Sequence, residues 1–129
     1  MLTINKISSL YYAGIGSRST PPHILSKMTS IAYYLSAKGY ILRSGGAKGA
    51  DTAFEQGASP SEIFRAEHAT QNALKLAKEY HPAWGACNQY VRKLMARNAM
   101  IILGSRLSSP VDFVVCWTPD GKLSGGTGH

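Results

Sequence analysis

The stretch Ser44-Gly45-Gly46-Ala47-Lys48-Gly49-Ala50-Asp51-Thr52-Ala53-Phe54-Glu55-Gln56-Gly57 reads as a strand end, a glycine turn and a helix start in succession. That order is a phosphate-binding layout. Glycines at 45, 46 and 49 allow positive φ and leave no Cβ atoms between the backbone and a ligand. The helix behind them offers unpaired N–H groups and the positive end of its dipole, and Lys48 adds a mobile cation. No Gly-Lys-Ser/Thr closes the stretch as a Walker A loop would, and it lacks the Gly-x-Gly-x-x-Gly spacing of a dinucleotide fingerprint. A plain strand-to-helix turn is the competing reading. The decision rests on whether other turns of the same kind converge on this one.

Upstream, Tyr40-Ile41-Leu42-Arg43 reads as the strand that delivers the chain into the turn. From Pro22 to Lys38 the apolar positions Ile24, Leu25, Met28, Ile31, Ala32 and Leu35 recur at helical spacing, which predicts a helix that buries them and ends at Lys38-Gly39. Earlier still, Leu10-Tyr11-Tyr12-Ala13-Gly14-Ile15 is an apolar run that predicts a buried first strand. The Gly14-x-Gly16-Ser17-Arg18 turn after it supplies flexible backbone, a hydroxyl and a guanidinium, all suited to phosphate oxygens. Ser19 or Thr20 also suits the N-cap of the next helix, with proline in its first turn. Successive strands of a parallel sheet point the same way, so both turns fall at the same carboxyl edge, where open α/β sheets bind ligands.

Downstream, Ala50 to Ala58 predicts a second helix and Ser61-Glu62-Ile63-Phe64 a short third strand at a sheet edge. Residues 65–71 give no clear pattern, whereas Ala73, Leu74, Leu76, Ala77 and Tyr80 fit a short helix broken by His81-Pro82. Gln89 to Leu103 predicts a longer helix with Val91, Leu94, Met95, Met100 and Ile101 on one side, Arg92 and Lys93 on a solvated face, and Arg97 elsewhere on its surface. Val114-Val115-Cys116-Trp117 reads as a central strand, and Ser124-Gly125-Gly126-Thr127-Gly128-His129 as a third glycine turn. The order of elements argues for an α/β fold: one Rossmann-like, doubly wound parallel sheet in a single domain over residues 1–129.

With 129 residues the chain is long enough for one core and too short for two. A formal charge of +7 suits an anionic partner, with nucleic acid, nucleotides and acidic membranes all open on charge alone. Apolar runs are far too short to span a membrane, and the amino terminus has no secretory pattern, so a cytoplasmic protein is expected. Cys87 and Cys116 read as two reduced thiols. His23, His68, His81 and His129 lack metal-ligand spacing, and neither metal nor cofactor is expected. Trp84 and Tyr90 could stack on a base, but core positions are the favoured reading for both.

Gly16-Ser17-Arg18, Ser44 to Asp51, Arg97-Asn98-x-x-Ile101-Ile102 and Ser124-Gly125-Gly126-Thr127-Gly128 together resemble the Rossmann-like superfamily that unites the DNA-processing protein DprA with the LOG phosphoribohydrolases. The chain is most similar to the short DprA-like proteins of bacteriophages, which implies residence in the host cytoplasm. The DprA branch implies a recombination mediator that binds single-stranded DNA and loads a RecA-type recombinase. By motif, Ser17, Arg18, Gly45, Gly46, Lys48 and Gly49 would hold backbone phosphates, with Arg43 and Arg97 nearby. Gly16, Ser44 and Asp51 complete the first two turns, and Gly125, Gly126 and Thr127 the third. The sequence ends at His129, where the family continues with a helix and a strand, so either a partner chain covers that face of the sheet or the sequence is a truncated form; a homo-oligomer, most simply a symmetric homodimer, is expected.

The LOG branch implies cleavage of the N-glycosidic bond of a nucleoside monophosphate by an arginine and a glutamate. Met95-x-Arg97-Asn98 resembles its arginine motif, but the glutamate that should follow the last glycine turn is absent. Asp51 or Asp120 could substitute; Asp51 better suits orienting the turn or meeting a ribose hydroxyl. Binding without turnover is therefore the expectation, with the glycosidase and a sensor of a signalling nucleotide as alternatives.

Overall fold

The computed structural model describes residues 10–122. The apolar run after residue 9 forms strand β1 (Leu10–Gly14), and the run before the glycine stretch forms β2 (Tyr40–Ser44). Two shorter strands, β3 (Ser61–Ile63) and β4 (Phe113–Val115), complete a four-stranded, wholly parallel sheet in the order β3-β2-β1-β4. Tyr12 pairs with Leu42 on one side and Phe113 on the other, and Ala13 with Arg43 and Val114. Helices α1 (Pro22–Ala37), α2 (Ala50–Gly57), α3 (Gln71–Tyr80) and α4 (Gln89–Leu103) make the crossovers. The result is the Rossmann-like α/β architecture.

Strand alternation sorts the core into two layers. Tyr12 and Leu42 face α1 and α2, where they bury Met28, Ala32, Ala53 and Phe54. Ala13 faces the other way, toward Phe64, Ala73, Ala77, Ala96, Met100 and Ile101. The alanines of this second layer let α3 and α4 pack closely on each other, with α4 against β1 and β2. Both helices start on side-chain caps: Thr70 accepts the Ala73 amide at 3.1 Å, and Asn88 accepts the Val91 amide at 2.8 Å.

Three expectations are corrected. Neither Ser19 nor Thr20 caps α1. Its N-cap is Pro21, while the Thr20 hydroxyl donates to the Ser17 carbonyl at 2.6 Å, so these side chains fold the preceding turn instead. Ile31 is 39% exposed, because it flanks the Met28–Ala32 line that meets the sheet. The last strand borders the described sheet and is not central. Its apolar content reflects burial on one face: Val115 and Trp117 pack on the α1–α2 layer, whereas Val114 is 45% exposed.

Candidate functional site

The turns after β1 and β2 leave the sheet at its carboxyl edge and touch. Gly49 has φ +86°, and a Cβ atom there would lie 2.8–2.9 Å from the backbone of Ser17 and Arg18. Only glycine permits this approach. The Ala50 amide donates to the Ser17 carbonyl at 3.4 Å, and Gly16 lies against Ala50. Beneath them the buried Ser44 hydroxyl donates to the Gly14 carbonyl at 2.6 Å, tying the ends of the two strands together. Ser17 Oγ accepts the Ser19 amide at 3.0 Å, and Arg18 and Lys48 stand exposed above the joined turns.

Two arginines from elsewhere cover the Gly45-Gly46 pair. At Gly46, where φ is +70°, a Cβ atom would meet the Arg65 guanidinium at 2.7–2.9 Å, and Arg65 Nη1 donates to the Gly46 carbonyl at 3.3 Å. At Gly45 a Cβ atom would collide with Arg97 Nη1 and lie 2.8 Å from Asp51 Oδ2. Arg97, from α4, donates through Nη1 to the carbonyls of Gly45 (2.8 Å) and Phe64 (3.1 Å), and through Nε to Asn98 Oδ1 at 3.0 Å. It thereby clamps the ends of β2 and β3 and leaves Nη2 without a partner in these bonds.

Asp51, in the first turn of α2, accepts the Ala47 amide at 3.2 Å. Burial raises its carboxyl above the ordinary value of 3.8, against the Ala47 bond, the Arg97 charge, the Gly45 amide and the Ser44 hydroxyl, which all pull it down. Burial likewise lowers Arg97; Asp51 opposes that shift, and the like charges of Arg18 and Arg65 add to it. A cluster of cations thus surrounds one buried carboxyl, and the imbalance favours an anion.

Arg43 stands apart from this cluster. Its side chain points into the α4 layer, where Nε donates to Glu62 at 2.8 Å, Nη1 donates to the Ser109 carbonyl, and the guanidinium lies 3.8 Å from the centre of the Tyr11 ring. Buried to 3% exposure, it braces the chain after α4. Sequence alone places it near the phosphate turns because it precedes them by one residue, but strand alternation sends its side chain to the opposite surface of the sheet from Leu42.

Beside the turns opens a cavity of about 1020 Å³. Its lining combines the polar side chains of Ser17, Arg18, Asp51, Arg97 and Asn98 with the apolar ones of Leu76, Met95, Ile102 and Val114 and the ring of Tyr80. The cavity lies where strand order reverses, with β2 and β3 on one side of β1 and β4 on the other. This is the switch point at which such sheets bind ligands.

Sequence motifs do not single out Arg65, yet it follows β3 by two residues and so belongs to the same carboxyl edge. Tyr90 is 61% exposed and not a core residue, because it sits in the first turn of α4, beyond the packed layer. Trp84 is partly buried against the second layer. Gly125, Gly126 and Thr127 lie outside the described residues. Comparison with protein-family models, curated proteins and solved structures finds no match for this chain.

Proposed function

We propose that this chain is a DprA-like module that binds a nucleotide unit, free or within single-stranded DNA, by its phosphate at the carboxyl edge of the sheet. The observation that carries the reading is the contact between the two glycine turns at the switch point, with Arg18, Lys48 and Arg97 around them and the cavity beside them. Ser17, Arg18 and Lys48 meet phosphate oxygens, Arg97 adds its Nη2, and the apolar part of the cavity lining takes the base. The DprA reading brings with it a recombinase partner and self-association. Titration with nucleoside monophosphates and with a labelled oligothymidylate tests the binding directly. Saturable binding that falls with salt is expected, and no binding of either ligand ends the proposal.

A nucleotide N-glycosidase is favoured by one observation: Asp51 is a buried carboxyl with a raised pKa that lines the cavity together with Arg97. In that reading the C1′–N bond breaks and the base leaves with the bonding pair, the carboxylate stabilises the cationic sugar, and water adds its oxygen to C1′ while the proton it loses ends on the base. Incubation with AMP, CMP and GMP followed by chromatography separates the two. Intact nucleotide is expected, and free base released at a rate abolished by Asp51→Asn supports the glycosidase instead.

A further inference from the structure

The positive surface does not stop at the cavity. Arg65 and Tyr90 are both exposed, and neither lines it. Each is nonetheless placed on the Arg97 side of the site. Arg65 follows Phe64, whose carbonyl accepts from Arg97 Nη1 at 3.1 Å, and its own guanidinium rests on Gly46 next to the Gly45 carbonyl that Arg97 also holds. Tyr90 precedes Arg97 by two helical turns on α4, a spacing that puts both on one face of the helix.

The backbone under Arg65 is fixed as well. Its amide donates to His68 Nδ1 at 2.9 Å, the His68 amide returns to the Arg65 carbonyl at 2.9 Å, and the preceding Phe64 amide donates to Ser44 at 2.9 Å. An exposed guanidinium with a long bond, at 3.3 Å, therefore stands on a pinned base. An exposed tyrosine beside a cationic row is the pairing that single strands exploit: every base has a face to stack, and every nucleotide brings a phosphate.

We propose that Arg65 and Tyr90 form a second nucleotide position outside the cavity, Arg65 holding the phosphate and Tyr90 stacking on the base of a nucleotide that neighbours the one in the cavity. The inference rests on the proposed phosphate site and deepens it: a free nucleotide fills the cavity alone, while a strand uses both positions. Arg65 and Tyr90 are then the residues that separate the two ligand classes.

The test compares thymidine monophosphate with an oligothymidylate of about 12 nucleotides, which spans a typical single-strand site. Tyr90→Ala is expected to weaken the oligonucleotide about ten-fold, and Tyr90→Phe, which keeps the ring, to restore it. Arg65→Ala is expected to weaken the oligonucleotide and reduce the slope of log affinity against log salt by about one phosphate's worth. Arg65→Lys should recover the slope but not the full affinity, because the planar fork is lost. Monophosphate affinity should be unchanged in both Tyr90 variants and should fall less than oligonucleotide affinity in both Arg65 variants; folding of all four is checked by circular dichroism. Alanine variants that fold and bind the oligonucleotide like the parent overturn the inference, as do alanine variants that lose both ligands equally. A parent that binds the monophosphate and not the oligonucleotide overturns it too and leaves the cavity reading intact, whereas a parent that binds neither removes both.

Discussion

A single methyl group at position 46 probes how the site is assembled. Gly46→Ala puts that methyl where the Arg65 guanidinium lies, on a backbone at φ +70°, so it strains the turn and pushes the arginine away. A loss of about 1 kcal/mol in stability is expected, together with the drop in oligonucleotide affinity given by Arg65→Ala. The double variant should lose no more affinity than Arg65→Ala alone; additive losses in fluorescence anisotropy would mean that Gly46 acts independently of Arg65. At Asp51 the probe is pH. Burial raises its folded-state pKa above the 3.8 of the free side chain, so the folded protein holds this proton to higher pH than the unfolded chain does. Its contribution to stability is therefore most favourable below the unfolded value and declines as pH rises through the folded one. Asp51→Asn keeps an acceptor for the Ala47 amide and removes the titration. Urea midpoints measured upward from about pH 4 should fall in the parent relative to the variant; a constant difference across the series would contradict a raised carboxyl.

Among the elements, α4 matters most to the site because it carries both Arg97 and Tyr90. Asn88→Ala removes the acceptor of the Val91 amide and should lower stability by about 1 kcal/mol in thermal or urea unfolding. No change would mean that the first turn of α4 is held by other contacts. The bounds of this helix are legible from sequence because its apolar period acts locally. The same holds for β1, β2 and the two turns, whose shared edge follows from parallel pairing. What pairing partner a strand finds is not local, which is why Val114 and Val115 look central in sequence and lie at the border in the fold. The role of Gly45 and Gly46 was half legible. Their lack of side chains is plain, but the arginines that use the space come from residues 65 and 97, joined to the turn only by folding. Tyr90 looked like core because tyrosines usually bury part of their ring, and nothing within α4 alone reveals that the packed layer ends before it.

At the scale of the whole molecule, exposed apolar surface and charge act together. Tyr33 and Tyr34 on α1 are 75% and 60% exposed, and Tyr80 beside the cavity is 79% exposed. Surface of this kind suits the proposed self-association. Sedimentation at micromolar concentration is expected to give a dimer, and a monomer alone would count against it. No helix among the described residues is long and apolar enough to cross a membrane.

Arg43 has a consequence for motion. One guanidinium joins Glu62 on β3 and Ser109 after α4 while lying over Tyr11 on β1, so these separate stretches share a fastening. Such regions exchange backbone hydrogens through one cooperative opening and not several local ones. The Phe64 amide, bonded to Ser44 at 2.9 Å, and the Val111 amide, bonded to Ile102 at 2.8 Å, should therefore exchange with deuterium at matching free energies of opening. Arg43→Ala should accelerate both together and leave the Ala53 amide of α2 protected as before; if Phe64 and Val111 respond independently, the two sides of the sheet breathe on their own.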